Sequence, residues 1–492
     1  MIEVRNPATG ELLATLDELG DAALVEVAAR ARRAQPGWDA RGFAGRGALL
    51  RSFAAWLLEH SERVVETIVS ETGKAYEDAY LIDLGYTASA LRFWAAHASE
   101  YLAERRTVAR SPLVIGRRLV TRYVPRPVVG VIGPWNFPLL NSFGDAIPAL
   151  AAGCAVILKP SELTPMTSLL VAEGLRECGL PEGAFAVATG GPQTGAALVD
   201  VVDFVMFTGS TATGRAVAAR AAQALVPCAL ELGGKDALVV LEGAPLERAA
   251  NVATYYGMLN GGQSCVSIER VYVQAQIHDE FVAKLTRKVG ALRVGQPGGP
   301  GAVDVGAITS ARQLEIIEAH VADAVAKGAS VAVGGRRLPG PGRFYEPTVL
   351  VGVDHTMRCM TEETFGPTLP VMAVADADEA VALVNDSRMG LGAAVFAGHA
   401  RRGEALARRL EVGAVCVNDA AVNYFALEAP MGGLKESGIG VRHGPSGIRK
   451  YCSERTIVLS PRRWPAREPQ FYPYSRSRTR ALRTVLRTLY RR

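Results

Sequence analysis

Between residues 128 and 209 the chain repeats one pattern. The short apolar runs VVGVIG (128–133), CAVILK (154–159), FAVATG (185–190) and VDFVMFTG (202–209) are each followed by a longer Ala-rich stretch of helical character. Strands buried on both faces read as continuous apolar runs, and parallel neighbours need a crossover of a dozen or more residues, which helices supply. The segment is therefore expected to form a parallel sheet with crossover helices. A second series from 237 to 418 (ALVVLEG, SIERVYVQ, SVAVGG, AAVFAG, GAVCVN, with ATYYGML as a helix) repeats the rhythm. The expected fold class is α/β, with two such domains in succession.

The flanking regions differ. Residues 20–105 read as helical, beginning with DAALVEVAARARRAQPGWDA, where Ala23, Leu24, Val27 and Ala28 share a face and Pro36-Gly37 is expected to stop the helix. Residues 106–126 (VARSPLVIGRRLVTRYVPR from Val108 on) turn β-rich and suggest a hairpin arm. The Pro- and aromatic-rich segment 464–475 reads as an extended connector to SRTRALRTVLRTLYRR, in which Leu482, Val485, Leu486, Leu489 and Tyr490 fall on one helical stripe among arginines. That is a basic amphipathic helix.

Of 492 residues, 49% are hydrophobic and 21% charged, which suits a folded globular chain and not a disordered one. No stretch offers the roughly 20 uncharged apolar residues of a bilayer span, and the acidic N-terminal segment does not resemble a secretory signal. A chain working in the cytoplasm is expected. Seven widely spaced cysteines without a CxxC pair suggest neither a disulfide framework nor a zinc knuckle, and no histidines pair at ligand spacing, so no metal is expected. The net charge of +5 conceals an asymmetry: residues 461–492 hold ten Arg and one acid, Glu468, leaving the rest mildly acidic. Nucleic acid is not an expected partner, and any electrostatic partner belongs at the C-terminus.

Three side chains draw attention chemically. Cys265 in NGGQSCVSIERVYV follows two glycines that keep the backbone thin, so a substrate can reach its thiol; a lone Cys between a helix and a strand is nonetheless more often inert core. Glu231 precedes the Gly-Gly turn of LELGGKDALVV, where a carboxylate is either a general base or a solvated loop acid. Asn136 in GPWNFP sits between aromatic residues and two prolines that stiffen the turn.

Taken together, PWNFP, KPSE, FTGS, ELGGK, GQSC and EETFGP, in this order, resemble the NAD(P)-dependent, non-phosphorylating aldehyde dehydrogenase superfamily, and the likeness runs from about residue 4 to about residue 458. The resemblance implies a Rossmann-like nucleotide-binding domain (1–105 and 127–236), a catalytic domain (237–445) and an oligomerisation arm (106–126 and 446–460), assembled as a homodimer or homotetramer; the basic extension (461–492) lies beyond it. It implies Cys265 as nucleophile, Glu231 as base and Asn136 as oxyanion donor. A Cys thiolate converts the aldehyde to a thiohemiacetal, from which hydride can leave; the base then activates water to release the acid. Relatives that pass the acyl group to coenzyme A or phosphate do not need this base, so Glu231 favours a free acid as product.

For the cofactor, the resemblance implies Trp135, Lys159, Ser161, Glu162, Gly191, Phe207, Thr208, Gly209, Ser210, Leu232, Glu363 and Phe365. Lys159 and Glu162 belong on the adenosine ribose, where a carboxylate accepts a 2′-hydroxyl and repels a 2′-phosphate, so NAD is expected over NADP, with NADP open. GQSCVSIERVYV and PMGGLKESGIGVRHGPSGIRKYCSERTIV resemble a bacterial branch that includes enzymes labelled succinate-semialdehyde dehydrogenase. A semialdehyde site would want a cation for the distal carboxylate. The residues expected at the tunnel, Asn141, Gly144, Tyr424 and Phe425, with Leu427 and Glu428 beside them, offer none. An apolar aliphatic or aromatic aldehyde is the expected substrate, with succinate semialdehyde and a catalytically silent binding relative as alternatives. The tail helix fits either a protein surface or anionic lipid at the inner face of a membrane, through 476–492.

Overall fold

The computed structural model describes residues 1–111, 114, 116–460, 468 and 471–490. They form two compact units, one of Met1–Tyr101 with Pro125–Tyr451, the other of Leu102–Val124 with Cys452–Arg492.

The first unit opens with an antiparallel pair, β1 (Ile2–Arg5) and β2 (Leu12–Leu16), then helices α1 (Asp21–Asp39), α2 (Gly42–Glu59), α3 (Ser61–Thr72) and α4 (Tyr86–Tyr101), with a π-helical turn over Asp78–Gly85 before α4. Helix α1 does not stop at Pro36-Gly37. Proline removes only its own N–H, while its carbonyl still accepts from Ala40 N–H at 2.9 Å. Buried Trp38 fixes this last turn by donating from Nε1 to Leu150 O at 3.0 Å. The buried face is Leu24, Val27, Ala28 and Ala31; Ala23 lies one position off it and is exposed.

In the second unit, β3 (Arg105–Val108) and β4 (Arg118–Pro125) pair antiparallel, and a third strand from the C-terminal region, introduced below, joins β4. The first unit resumes with β5 (Val128–Ile132), α5 (Gly144–Ala152), β6 (Ala155–Lys159), α6 (Met166–Glu177), β7 (Phe185–Val187), α7 (Pro192–Val201), β8 (Phe204–Thr208), α8 (Thr211–Gln223) and β9 (Cys228–Glu231). All four apolar runs of the first series are strands. Strands β5, β6 and β8 are buried at every residue, because helices cover both faces.

The second series supplies β10 (Ala237–Val240), β11 (Arg270–Gln274), β12 (Ser330–Val333), β13 (Thr348–Val351), β14 (Thr368–Val374), β15 (Met389–Gly390), β16 (Gly392–Phe396) and β17 (Ala414–Val417), then β18 (Leu434–Lys435), β19 (Gly438–Ile439) and β20 (Cys452–Leu459). Six strands in the order β19-β9-β8-β5-β6-β7 make one sheet, seven in the order β12-β13-β14-β11-β10-β16-β17 make another, and β20-β4-β3 is the small sheet of the second unit. Sequence patterning missed β13 and β14. The latter contains Pro370, which argues against a central strand; the ladder to β11 begins only at Val371, so the missing N–H falls outside it.

The C-terminal helix spans Arg476–Tyr490, with Val485, Leu486, Leu489 and Tyr490 exposed. Half of the 464–475 connector, residues 464–467 and 469–470, lies outside the described residues. Among the described residues no helix is long and apolar enough to cross a membrane.

Candidate active site

In the six-stranded sheet the chain runs from β5 to β6 and β7 on one side, then returns past β5 to β8 and β9 on the other. Such a reversal opens a crevice at the carboxyl ends of the strands. The turn carrying Asn136, the side chain of Lys159, the start of α8 and the carboxylate of Glu231 all lie at those ends.

Asn136 is buried and held from several directions. Its backbone carbonyl accepts from Lys74 Nζ at 2.8 Å and from Asn260 Nδ2 at 3.0 Å, and its own Nδ2 donates to Gln263 O at 2.9 Å. Lys74 is fully enclosed, pairs with Asp83 at 2.6 Å and lies 3.9 Å from the centre of the Phe137 ring. The other Asp83 oxygen accepts from the N–H groups of Leu139 and Leu140, fixing the π-helical turn Pro138–Phe143. The oxyanion-donor candidate thus stands on a buried ion pair.

Cys265 follows a run of left-handed residues, Asn260, Gly261 and Gly262, with φ of 53°, 63° and 71°. A Cβ on Gly262 would lie 2.0 Å from Gly366 O, so only glycine permits this approach of backbone to backbone. From the other side comes the turn after β9: a Cβ on Gly234 would lie 2.4 Å from Cys265 O. Gly234 N–H donates to Glu363 Oε1 at 2.9 Å. The Asn136 turn, the Glu231 strand end, Cys265 and Glu363 therefore converge in space. The hydrogen bonds that join them span the chain, 127 residues from Asn136 to Gln263 and 129 from Gly234 to Glu363.

Burial dominates the electrostatics. It pushes the Cys265 thiol up to about 12, against the attraction of Arg442 for a thiolate. It pushes the Glu231 carboxyl up to about 7, opposed by Arg442 and then Lys450. Neither Glu231 oxygen has a hydrogen-bond partner among the described residues. A thiol that rests protonated beside an acid poised near neutrality is an arrangement for proton transfer.

Cys265 opens into a cavity that includes Ile82, Phe137, Leu140, Tyr256, Tyr424 and Phe425 in its wall. Among the described residues the wall has no charged side chain; its polar groups include Asn141, Ser264 and the Tyr hydroxyls, and Tyr424 donates to Asn141 Oδ1 at 2.6 Å. Of the tunnel residues expected from sequence, Asn141, Tyr424 and Phe425 line this cavity. Gly144 does not: as the first residue of α5 it is one turn further on, in a smaller pocket with Tyr86, Asp145, Arg442, His443 and Lys450. Leu427 is buried and Glu428 is exposed, neither in the wall.

The residues present fit a dinucleotide. Lys159 ends β6 with its ammonium buried, and Glu162, 3.5 Å away, is its one ion-pair partner among the described residues, so N–H donors remain for hydroxyls; Ser161 shapes that turn by accepting from Leu163 N–H. Phe207 and Thr208 end β8, Gly209 follows, and Ser210 caps α8 by accepting from Thr213 N–H, presenting a helix N-terminus suited to anionic groups. Buried Leu232 packs so closely that a Cβ on Gly214 of α8 would lie 2.4 Å from its Cδ2. Gly191 caps α7 nearby in the fold. Trp135 and Phe365 meet edge to face at 5.4 Å, and Glu269 fixes the Glu363–Phe365 loop by accepting from Thr364 and Phe365 N–H and pairing with buried Lys235.

Sequence reasoning missed Lys74, Asp83, Asn260, Arg442 and Asp145. Of these, only Asn260 carries a signal in the local sequence, since its place before two glycines hints at a left-handed turn.

A family model described as "Aldehyde dehydrogenase family" matches residues 1–457. The chain belongs to the aldehyde dehydrogenase family. It is an oxidoreductase of that family and shares its fold. A Mycolicibacterium smegmatis protein provisionally named as a succinate-semialdehyde dehydrogenase of NADP(+) is 42% identical over 92% of this chain and 87% of its own length. A Methylomonas protein named 4,4'-diapolycopene aldehyde oxidase is 39% identical over 96% of this chain and 88% of its own. Among solved structures, lactaldehyde dehydrogenase from Escherichia coli is 33% identical with a TM-score of 0.88, covering 94% of this chain and 96% of that one.

Proposed function

We propose that this family member oxidises an apolar aldehyde, aliphatic or aromatic, to its carboxylic acid, with NAD preferred to NADP. The observation that carries the substrate reading is the wall of the cavity at Cys265, which is rich in aromatic and aliphatic groups and, among the described residues, has no charged side chain. Succinate semialdehyde, suggested by the mycobacterial relative's name, would bring a carboxylate into that cavity with no cation to receive it. The carotenoid-aldehyde name of the Methylomonas relative agrees better with an apolar wall. A silent binding protein is disfavoured by the convergence of Asn136, Cys265 and Glu231 on one crevice.

In this reading Cys265 passes its proton to Glu231, which releases it to water before serving as base, and its Sγ bonds to the carbonyl carbon. Asn136 Nδ2 and the Cys265 N–H receive the oxyanion; one such donor is worth about 3–4 kcal/mol of barrier. A nicotinamide dinucleotide would supply the hydride acceptor; Lys159 and Glu162 would hold its adenosine ribose, the N-terminus of α8 its pyrophosphate, and Glu363 with Phe365 its nicotinamide end. Cys265 Sγ is left carrying the acyl group as a thioester, and Glu231 takes a proton from the water that hydrolyses it. Rapid mixing with hexanal and NAD tests this: a burst of NADH is expected in the native enzyme and none in Cys265→Ala, while a burst in that variant refutes the assignment.

The six-stranded sheet supports assignment of 1–105 and 127–236 to dinucleotide binding, and the seven-stranded sheet that of 237–445 to catalysis. The small sheet β20-β4-β3 supports an oligomerisation arm in a homodimer or homotetramer. The C-terminal helix exposes a Val-Leu-Leu-Tyr stripe beside five arginines, Arg476, Arg478, Arg480, Arg483 and Arg487, with no acidic residue. That pairing suits peripheral contact with anionic lipid by a cytoplasmic enzyme, each Arg contributing on the order of 1 kcal/mol. Cosedimentation with phosphatidylserine vesicles, lost on deleting 476–492, is the expected result; binding unchanged by the deletion overturns it.

A further inference from the structure

Behind the nucleophile lies a buried guanidinium that the chemistry above does not use. Arg442 donates from Nε to Asp145 Oδ1 at 2.8 Å and from Nη2 to Asp145 Oδ2 at 2.7 Å, and Nη2 also meets Thr208 Oγ1. Thr208 in turn donates to Asp145 at 3.1 Å, and Tyr451 O–H donates to the Asp145 carbonyl at 2.9 Å. The Arg442 backbone is bridged in both directions to Met431. A two-pronged fork held in this way cannot swing.

The remaining nitrogen, Nη1, has no hydrogen-bond partner among the described residues and stands 3.8 Å from Glu231 Oε2, whose carboxylate is also without one. Two buried, unbonded, oppositely charged groups face each other across a gap too wide for a hydrogen bond. The gap matters. A full salt bridge would tie up the carboxylate lone pairs, whereas a charge held just out of bonding reach favours ionisation and leaves both oxygens free to take a proton.

We propose that Arg442 is the positioning residue for Glu231, a fixed positive charge that favours ionisation of this base without occupying its oxygens. The proposal rests on the reading of Glu231 as the base that deacylates Cys265. The other groups facing Glu231 are Lys450, Asp145, Cys265 and Tyr451. Lys450 donates to Val441 O at 3.1 Å, and burial pushes it down to about 8, so its charge fades in the range where the enzyme works. Asp145 opposes ionisation of Glu231, but its own charge is spent on the fork. Arg442 alone stays cationic at every working pH.

The test reads deacylation by itself. p-Nitrophenyl hexanoate acylates Cys265 without any dinucleotide, and the steady turnover after the acylation burst is followed against pH. Glu231 acts as its anion, so turnover falls as pH drops through about 7, the value to which burial raises this carboxyl. Removing an opposite charge at this distance moves a carboxylate by about 1–3 pH units. Arg442→Gln is therefore expected to move this acid limb upward by that amount, Arg442→Lys to restore most of the native position, and Asp145→Asn, which frees the guanidinium toward Glu231, to move it down. Opposite shifts from two partners of one ion pair are not produced by loss of structure, and Arg442→Met, which also removes the charge, takes the place of Arg442→Gln if the latter does not fold. A limb that stays in place when the charge of Arg442 is removed, yet vanishes in Glu231→Gln, overturns the proposal. A limb that persists in Glu231→Gln overturns instead the reading of Glu231 as base.

Discussion

Chain length offers the sharpest quantitative test of the apolar wall. Each methylene moved from water into such a cavity gains about 0.8 kcal/mol, about fourfold in an equilibrium or in kcat/KM. From butanal to octanal, four methylenes amount to about 3 kcal/mol, so kcat/KM is expected to rise roughly 200-fold as long as the chain stays against the apolar wall. Succinate semialdehyde has the four carbons of butanal with a carboxylate at the far end. With no cation in the wall, its desolvation goes uncompensated, and a cost of about 3 kcal/mol places it about 100-fold or more below butanal. The assay is initial NADH production across the aldehyde series at fixed, saturating NAD. Phe425, partly exposed at the cavity, gives the control: Phe425→Arg supplies the missing cation and is expected to narrow the gap between butanal and succinate semialdehyde about tenfold. A native enzyme that prefers succinate semialdehyde to butanal, or a series flat from four to eight carbons, would refute the argument from the wall.

Three further outcomes follow from named contacts. Asn136→Ala is expected to lower kcat by about 100- to 1,000-fold, while alkylation of Cys265 by iodoacetamide proceeds at its native rate, since the amide acts on the oxyanion and not on the thiol. Lys74→Met leaves Asp83 charged and enclosed with its cation removed, which costs about 3–5 kcal/mol and is read as a fall in the urea midpoint; an unchanged midpoint would show that the pair contributes nothing. Glu162→Ser removes the carboxylate that repels a 2′-phosphate, so the ratio of KM for NADP to KM for NAD is expected to drop at least about tenfold.

The elements that sequence patterning recovers are those whose burial is written into a continuous run. Strands β5, β6 and β8 are apolar from end to end because helices close both their faces, and no other environment tolerates such runs in a water-exposed chain. Strand β14 escapes the same reading because Pro370 looks like a breaker, and its harmlessness depends on which neighbour's ladder begins one residue later. Helix α1 passes Pro36 for a comparable reason, the buried Trp38 fixing a turn that propensity alone would end.

The site divides along the same line. Cys265, Glu231 and Asn136 are visible because each sits in a short motif whose residue types suit one reaction. The groups that tune and hold them are charged residues in stretches that read as solvated surface: Lys74 in ETGKAYED, and Arg442 in GVRHG. Charge in a sequence is evidence of exposure only while no partner is known, and the partners here are remote, Asp145 lying 297 residues from Arg442 and Asn136 lying 62 from Lys74. Burying these charges is costly, and enclosing them with fully bonded partners on all sides but one leaves that one side as the place where their field acts. For Lys74 that direction is the carbonyl beneath the oxyanion donor; for Arg442 it is the unbonded carboxylate of Glu231. The motif residues supply the reacting atoms, and these buried pairs set where those atoms stand and how they are charged.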